Sequence, residues 1–412
     1  MVDATTRAYA EKQDADDPLA GLRERFVTTD PDLIYLDGNS LGRLPRATVD
    51  RLDGVLREEW GGELIGGWGH WMDLPTSVGD LIGMHLLGAA SGQTVVADST
   101  SVNLYRLAGA AVRARPGRSV IVTDDDNFPT DRYVLAGLAE DRGLQLRVVH
   151  TDPDEGVDTN TIADAVDEGT ALVSLSHVAY RSGGLADMAA INRATHRSGA
   201  LVLWDLCHSV GSVPVELDGT GSDLAVGCTY KYLLGGPGAP AFLYVRAGLH
   251  TELRNPVQGW FGQRDQFAMG PEYDPLPGVE RFRTGTPPVL PLVAVEEGVR
   301  LLAEAGIDAL RAKATALTEQ FIALADARLA GHGFRLASPR DPDRRGSHVT
   351  LHHPRAEELT GALIEQANVV PDYRTPERIR FGLAAPTTSH VEVWDAVDRL
   401  VHLLEQDSGS YL

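Results

Sequence analysis

From about residue 94 onward, short apolar runs alternate with longer amphipathic stretches. The short runs are rich in β-branched residues, which favour strands, and the stretches between them carry Ala and Leu at helical spacing. Strands and helices that alternate in this way form βαβ units around a mostly parallel sheet. The pattern predicts an α/β fold with strands near residues 119–123, 144–150, 171–176 and 200–205.

The alternation changes beyond the fourth of these runs. Two further strand-like runs, residues 223–229 and 240–245, follow each other without a long helix. A parallel sheet with an antiparallel member fits this spacing, because antiparallel neighbours need no helical crossover. Residues 255–288 are rich in Gly, Pro and aromatic residues and show no period. A loop of that length indicates a function beyond simple connection.

The C-terminal part predicts a second, smaller α+β domain. Helical periodicity resumes at residue 290, and strand-like runs then alternate with helices to the end of the chain. Residues 1–30 are polar and acidic, which predicts a loosely ordered or helical arm. We divide the chain into an N-terminal arm with the start of the small domain (1–60), a large domain (61–290) and the small domain (291–412). The later strand-like runs are residues 333–337, 347–352, 369–373 and 379–383.

Composition narrows the range of partners. The 412 residues carry a formal charge of −21, spread along the chain, so the surface should repel nucleic acid and anionic membranes. The two cysteines, Cys207 and Cys228, lie in apolar runs and do not build a disulfide scaffold. We see no signal-peptide pattern and no apolar stretch of membrane-spanning length, and therefore expect a cytoplasmic protein.

Lys231 and Asp205 are the two residues whose placement predicts chemistry. Lys231 lies between a strand-like run and a glycine-rich turn, where burial would lower its pKa and favour the neutral, nucleophilic amine. Asp205 ends an apolar strand 26 residues earlier, where parallel sheets bind ligands. Taken alone, the lysine is more typical of a solvated turn and the aspartate of a helix cap.

Together the two residues predict a pyridoxal 5′-phosphate (PLP) site. A carboxylate keeps the pyridine nitrogen protonated, so that the ring acts as an electron sink, and a lysine holds the aldehyde carbon. The phosphate requires a helix N-terminus, and Thr100 and Ser101 precede an Ala-rich helical run. Residues 127–131 add an aromatic ring and a carboxylate. Separately, these two segments would be an ordinary cap and an ordinary loop.

Other common chemistries lack their motifs. The chain has no dinucleotide-binding Gly-x-Gly-x-x-Gly after its first strand, no phosphate-binding loop of Walker type and no Gly-x-Ser-x-Gly elbow. His352 and His353 are adjacent, so on a strand they point to opposite faces. We therefore expect no metal site.

Seven segments together resemble the kynureninases, which are PLP enzymes of fold type I. The resemblance runs from about Tyr35 to Leu404 and implies a large domain with a mostly parallel seven-stranded sheet and a smaller C-terminal α+β domain. Cysteine desulfurases share the fold and the Asp–Lys pair, but not the Gly-Trp-Phe-Gly and Gly-Thr-Pro-Pro segments. The matching stretches are residues 35–42, 99–104, 127–131, 204–211, 230–232, 259–262 and 282–288.

The resemblance assigns roles to individual residues. Lys231 resembles the lysine that forms the Schiff base with PLP, Asp205 the partner of the pyridinium nitrogen, and Tyr230 a proton donor or relay. Arg380 resembles the arginine that binds the substrate α-carboxylate, with Arg378 as its near competitor. The further cofactor residues are Thr100, Ser101, Phe128, Thr130, Asp131, Ser176, His208, Trp260 and Thr286, and the further substrate residues are Asn39, Ser40, Trp68 and His70.

The implied activity is hydrolysis of kynurenine to anthranilate and alanine by Cβ–Cγ cleavage, as in tryptophan catabolism. The implied assembly is a homodimer in which Trp260 and Thr286 reach the partner's site. Thr286 resembles members that prefer unhydroxylated kynurenine, whereas Trp68 with His70 matches neither subgroup, so ring-substituted substrates such as 3-hydroxykynurenine remain open. Two rivals also remain: a cysteine desulfurase or β-elimination enzyme, and a non-catalytic PLP-fold module.

Overall fold

The strands form three sheets within residues 3–409, the part of the chain that the computed structural model describes. In chain order they are β1 (Ile34–Tyr35), β2 (Thr94–Val96), β3 (Val120–Asp124), β4 (Gln145–Val149), β5 (Thr170–Ser176), β6 (Leu201–Asp205), β7 (Leu224–Gly227), β8 (Phe242–Val245), β9 (Arg335–Leu336), β10 (His348–His352), β11 (Val369–Val370), β12 (Asp372–Arg374) and β13 (Arg378–Gly382).

Helices connect these strands and cover the sheets. They are α1 (Arg7–Ala15), α2 (Arg46–Gly54), α3 (Trp68–Trp71), α4 (Leu74–Leu86), α5 (Thr100–Arg113), α6 (Pro129–Arg142), α7 (Thr159–Ala165), α8 (Met188–Arg197), α9 (Leu217–Thr220), α10 (Val289–Ala305), α11 (Ile307–Arg328), α12 (Ala356–Ala367) and α13 (His390–Gly409). A widened helical segment, Val55–Glu63, continues directly from α2. None of the helices within residues 3–409 is long and apolar enough to cross a membrane.

The large sheet has seven strands in the order β2-β8-β7-β6-β5-β3-β4. Strands β3 to β7 run parallel, and β8 is antiparallel to both of its neighbours, β7 and β2. Every residue of β3 and β6 is buried, which explains why these strands are continuous apolar runs. The predicted α/β fold with a mostly parallel seven-stranded sheet and an antiparallel member is confirmed.

The second apolar core lies around the small antiparallel sheet, β12-β13-β10-β9, and the parallel pair β1-β11. The interpretation of residues 369–373 as one strand is wrong. Pro371 separates β11 from β12, and the two strands belong to different sheets. Proline lacks an N–H group and interrupts the hydrogen bonding of a strand, which accounts for the break.

The N-terminal arm is helical and packs on α13. The carboxylate of Asp14 accepts hydrogen bonds from the backbone N–H groups of His390 and Val391, at 2.7 and 2.9 Å, and so caps the start of α13. Asp17 forms a buried ion pair of 2.7 Å with Lys313 of α11. Of the two predicted forms of this arm, loosely ordered and helical, the structure has the helical one at Arg7–Ala15. The exact domain boundaries stay a prediction.

Residues 255–288 contain only short helical turns, in agreement with the absence of a sequence period. Asn255 closes the segment by donating from its side-chain amide to the carbonyl oxygen of Arg281 at 3.2 Å. Gly259 lies against Thr284 so closely that a Cβ atom would come within 2.0 Å of the Thr284 carbonyl oxygen. Only glycine fits there, so this long loop is packed against itself.

Candidate active site

A cavity of about 160 Å³ lies at the carboxyl ends of β5, β6 and β7. Ligands of open α/β sheets bind at this edge, because the loops that follow parallel strands converge there. The structure brings together at this cavity ten of the residues that the sequence singled out. They are Thr100, Ser101, Phe128, Thr130, Asp131, Ser176, Asp205, His208, Tyr230 and Lys231.

Lys231 lies in the turn that follows β7, and its Nζ is 3.0 Å from Nε2 of His208. The ring centroid of Phe128 is 6.0 Å from the same Nζ. Burial and the nearby Lys231 charge hold the pKa of His208 well below its usual range, so the imidazole is neutral and Nε2 is free to accept from the amine. Nδ1 of His208 is buried without a protein partner.

The expected lowering of the Lys231 pKa is wrong. Burial acts to lower this pKa, but attraction to the negative charge that Cys228, Cys207, Tyr230 and Asp205 carry when ionised outweighs burial, and the net direction is upward. Burial is the one effect on this pKa that the sequence indicates. The other groups meet Lys231 only after the strand ends come together.

Asp205 and Asp131 form a carboxyl pair at the cavity. Asp205 is the last residue of β6, and its Oδ1 accepts from the backbone N–H of Cys207 at 2.7 Å. Burial, reinforced by the Asp205 charge, raises the pKa of Asp131 well above its usual range. Asp131 therefore holds its proton to a higher pH than an exposed aspartate does.

The opposite wall of the cavity is built by the start of α5. Ser99 caps this helix by accepting from the Val102 N–H at 3.4 Å, and Thr100 and Ser101 form its first turn. The free N–H groups of such a helix start, together with the two hydroxyls, favour a phosphate. Asn127 fixes the facing loop: its Oδ1 accepts from Ser176 Oγ at 2.7 Å and from the Phe128 N–H at 2.8 Å.

These groups fit PLP. The cavity combines a helix N-terminus with hydroxyls for the phosphate, the Asp205 carboxylate for a pyridinium nitrogen, the Lys231 amine for an aldehyde and the Phe128 ring for stacking. The buried Nδ1 of His208 lacks a partner within the protein, as expected of a group that faces a ligand. Within residues 3–409, no cluster of three or more potential metal ligands is present.

The predicted carboxylate-binding residues lie together in the small domain. Arg380 on β13 is buried, and its Nη1 donates to the Tyr180 carbonyl oxygen at 2.6 Å. Its Nη2 donates to Ser40 Oγ at 2.9 Å, and Asn39, with its amide oxygen facing the guanidinium, accepts from Nε at 2.8 Å. The competitor, Arg378, forms an ion pair with Asp154 instead.

Trp260 and Thr286 do not lie at the Lys231 cavity of their own chain. Trp260 is 43% exposed and packs edge-on against Phe261, with ring centroids 4.6 Å apart. Thr286 lines a neighbouring cavity of about 510 Å³, which Tyr230 also lines. Thr286 is exposed as well, and neither residue lines the Lys231 cavity.

Trp68 and His70 also lie away from this cavity. Trp68 lines an open apolar depression of about 590 Å³ together with the exposed residues Trp60 and Ile65. His70 Nε2 is 3.1 Å from a carboxylate oxygen of Glu59. Within one chain, the structure does not join these two residues to Lys231, so their substrate role stays a prediction.

Three residues at or beside the site were missed in the sequence. Tyr180 lines the cavity edge-on to Phe128, with ring centroids 5.3 Å apart. His348 packs against His208, with ring centroids 5.4 Å apart, and Asp372 contacts Arg380. Tyr180 follows β5, so the strand-end rule had the signal to find it. The other two come from the small domain, whose placement no local pattern predicts.

Known proteins resemble this chain over nearly its whole length. The family model described as the kynureninase C-terminal domain matches residues 310–400. The kynureninase of Pseudomonas fluorescens is 44% identical over 410 residues, which cover 98% of this chain and 96% of that protein. A Burkholderia pseudomallei kynureninase is 43% identical over 411 residues, with the same coverage. The chain belongs to the kynureninase family. Sequence identity of this level over nearly the whole length rules out a different fold for this chain.

Solved structures with lower identity share the fold of this kynureninase family member. A cysteine desulfurase from Thermococcus onnurineus NA1 aligns with a TM-score of 0.81 at 18% identity, covering 94% of this chain and 98% of that one. A C-DES mutant with glycine covalently linked to its PLP cofactor aligns with a TM-score of 0.77 at 16% identity, covering 93% and 98%. At such identity the likeness concerns the fold alone.

Proposed function

We propose that this chain hydrolyses L-kynurenine, or a ring-substituted kynurenine such as the 3-hydroxy form, to the corresponding anthranilate and L-alanine with PLP as cofactor. Membership of the kynureninase family over 98% of the chain carries the proposal. The site agrees with it, because Lys231 and Asp205 face one cavity and Arg380 is held beside it by the Tyr180 carbonyl group.

PLP supplies an electron sink that stabilises negative charge at the substrate carbon next to the amino group. In our proposal Lys231 binds the aldehyde carbon, Asp205 pairs with the pyridinium nitrogen and Phe128 stacks on the ring. The phosphate lies at the start of α5, against Thr100 and Ser101. Thr130, Asp131, Ser176, His208 and Tyr230 complete the surroundings.

Lys231, His208 and Tyr230 are placed to handle protons. Neutral His208 accepts from the Lys231 amine at Nε2 and so aims Nζ into the cavity. Burial raises the pKa of Tyr230 to about 12, so its phenol keeps its proton at neutral pH and acts as a donor to the reacting substrate. Lys231 takes and returns the proton at the substrate carbon next to the amino group.

Substrate binding and specificity involve the small domain and, in our proposal, a second subunit. Arg380 binds the α-carboxylate through its planar fork, assisted by Asn39 and Ser40. We propose a homodimer in which Trp260 and Thr286 enter the partner's cofactor site. Trp68 and His70 would then face the aromatic ring of the substrate. A cytoplasmic location remains a prediction.

The two rival functions find less support. A desulfurase needs a mobile, reactive thiol, whereas Cys207 and Cys228 are both buried. The hydrogen bond with Cys228, together with burial, raises the pKa of the Cys207 thiol well above its usual range. A non-catalytic module has no need of Lys231, Asp205 and Arg380 together.

The test is product analysis of the purified protein with PLP. L-Kynurenine and 3-hydroxy-L-kynurenine are incubated side by side, with anthranilates followed by fluorescence and alanine by chromatography. We expect both products from at least one substrate, and a loss of about a hundredfold or more in rate for Lys231→Ala. The ratio of the two rates reports ring preference. Bound PLP without alanine from either substrate would disprove the proposed reaction.

A further inference from the structure

We propose that Asp372 is a positioning residue that sets the orientation of Arg380 for the substrate α-carboxylate. The proposal rests on the proposed function, in which Arg380 binds that carboxylate. It concerns a carboxylate that does not line the Lys231 cavity and that no sequence motif singles out.

The geometry places Asp372 directly opposite Arg380. The two residues are cross-strand partners, Asp372 on β12 and Arg380 on β13. Oδ2 of Asp372 accepts from Arg380 Nη2 at 2.6 Å and from Ser40 Oγ at 2.9 Å. It also forms an ion pair of 2.6 Å with Nη2 of Arg374. One carboxylate oxygen therefore joins two arginines and the Ser40 hydroxyl.

The remaining contacts of Arg380 show why Asp372 sets the orientation of its guanidinium group. Nη1 donates to the Tyr180 carbonyl oxygen, and Nε donates to the Asn39 amide oxygen. Within residues 3–409, Asp372 is the one carboxylate that forms an ion pair with Arg380. The other partners are neutral, and charge-assisted hydrogen bonds are the stronger ones. Asp372 therefore provides the strongest constraint on the plane of the guanidinium.

Two guanidinium groups and two carboxyl groups form the cluster around Arg380. Arg374 and Arg380 carry two positive charges, and Asp372 neutralises one of them. Asp37 also faces the cluster, and burial, together with the Asp372 charge, raises its pKa to about 6. An α-carboxylate that binds at Arg380 thus meets a guanidinium that Asp372 already holds in place.

The experiment compares Asp372→Ala with a matched control. In Asp372→Ala we expect the KM for L-kynurenine to rise about tenfold or more, since a hydrogen bond to a charged group is lost, while kcat changes much less. The dissociation constant of L-alanine, titrated through the visible absorbance of the PLP-loaded protein, should rise in parallel. Asp154→Ala removes the carboxylate that pairs with Arg378 on the same strand and should leave both constants within about twofold.

Conservative substitutions of Asp372 distinguish a lost orientation of Arg380 from a failure of the protein to fold. Asp372→Asn keeps an acceptor of the same shape but loses the charge, and should raise the KM less than Asp372→Ala does. Asp372→Glu keeps the charge but displaces it, and should raise the KM with the visible absorbance retained. If Asp372→Ala does not fold, an unchanged KM in Asp372→Glu overturns the proposal. An unchanged or lowered KM in a folded Asp372→Ala also overturns it. Wild-type protein that binds L-alanine but cleaves no kynurenine would refute the proposed reaction and leave the proposed role of Asp372 standing.

Discussion

At the scale of single residues, burial beside Asp205 changes the titration of Asp131. Both line the cavity, but Asp131 carries the raised pKa and Asp205 accepts a backbone N–H. Between the unfolded and the folded pKa of Asp131, the folded chain retains a proton that the unfolded chain has lost. Stability contributed by Asp131 therefore falls as the pH rises from about 3.8 toward its folded pKa.

Asp131→Asn mimics the protonated acid and should preserve the site. We expect this variant to keep the visible absorbance of bound PLP and a kcat within about tenfold of wild type, whereas Asp205→Asn should lose about a hundredfold. Thermal unfolding of the PLP-free protein between pH 5 and 8 should depend less on pH in Asp131→Asn. A loss of activity as large as that of Asp205→Asn would show that Asp131 is ionised in the working enzyme.

At the scale of elements, a short segment after β1 joins the two halves of the site. The backbone N–H of Gly42 donates to the Tyr230 carbonyl oxygen at 2.9 Å, next to Lys231. At its other end, Asp37 pairs with Gly382, the last residue of the strand that carries Arg380. Residues 37–42 therefore link the lysine turn to the carboxylate-binding strand.

Gly42→Ala should disturb this link. A Cβ atom at Gly42 would lie 2.3 Å from the Lys231 carbonyl oxygen, so the segment or the lysine turn must move. We expect kcat/KM to fall about tenfold or more, because small displacements of reacting groups are costly. Gly54→Ala is the control: nothing lies within 4 Å of its Cβ at the end of α2, and it should be neutral or slightly stabilising. Equal activity of the two variants would contradict the link.

The elements themselves were largely predictable, and the contacts between them were not. Strands buried on both faces are continuous apolar runs, so β3 and β6 could be located to within a residue or so. Asp205 and Lys231 followed from the rule that strand ends meet at one edge. The Asp372–Arg380 pair depends on the register of β12 against β13, which is set by packing in the small domain. No periodicity in the sequence carries that information.

At the scale of the whole molecule, one subunit presents an incomplete version of the site that its sequence predicts. Trp260 is exposed, and Thr286 lines a separate cavity beside Tyr230. An apolar depression lined by Trp60, Ile65 and Trp68 lies open nearby. Exposed apolar surface of this kind marks an interaction site. The resemblance predicts that these residues meet the cofactor site in a dimer, and within one chain they do not line the Lys231 cavity, so both the roles and the dimer stay predictions.

Mixed dimers test whether Trp260 serves the partner's site. Lys231→Ala and Trp260→Ala proteins, each of low activity, are mixed under conditions that exchange subunits. If Trp260 acts across the interface, each mixed dimer has one site with both residues intact. Half of the dimers are mixed and one of the two sites in each is intact, so activity should return to about a quarter of wild type.

Lys231→Ala mixed with Asp205→Asn is the control, because both residues belong to one cavity and no intact site forms. No recovery in the first mixture, with exchange verified by a tagged subunit, would place Trp260 in its own subunit's site.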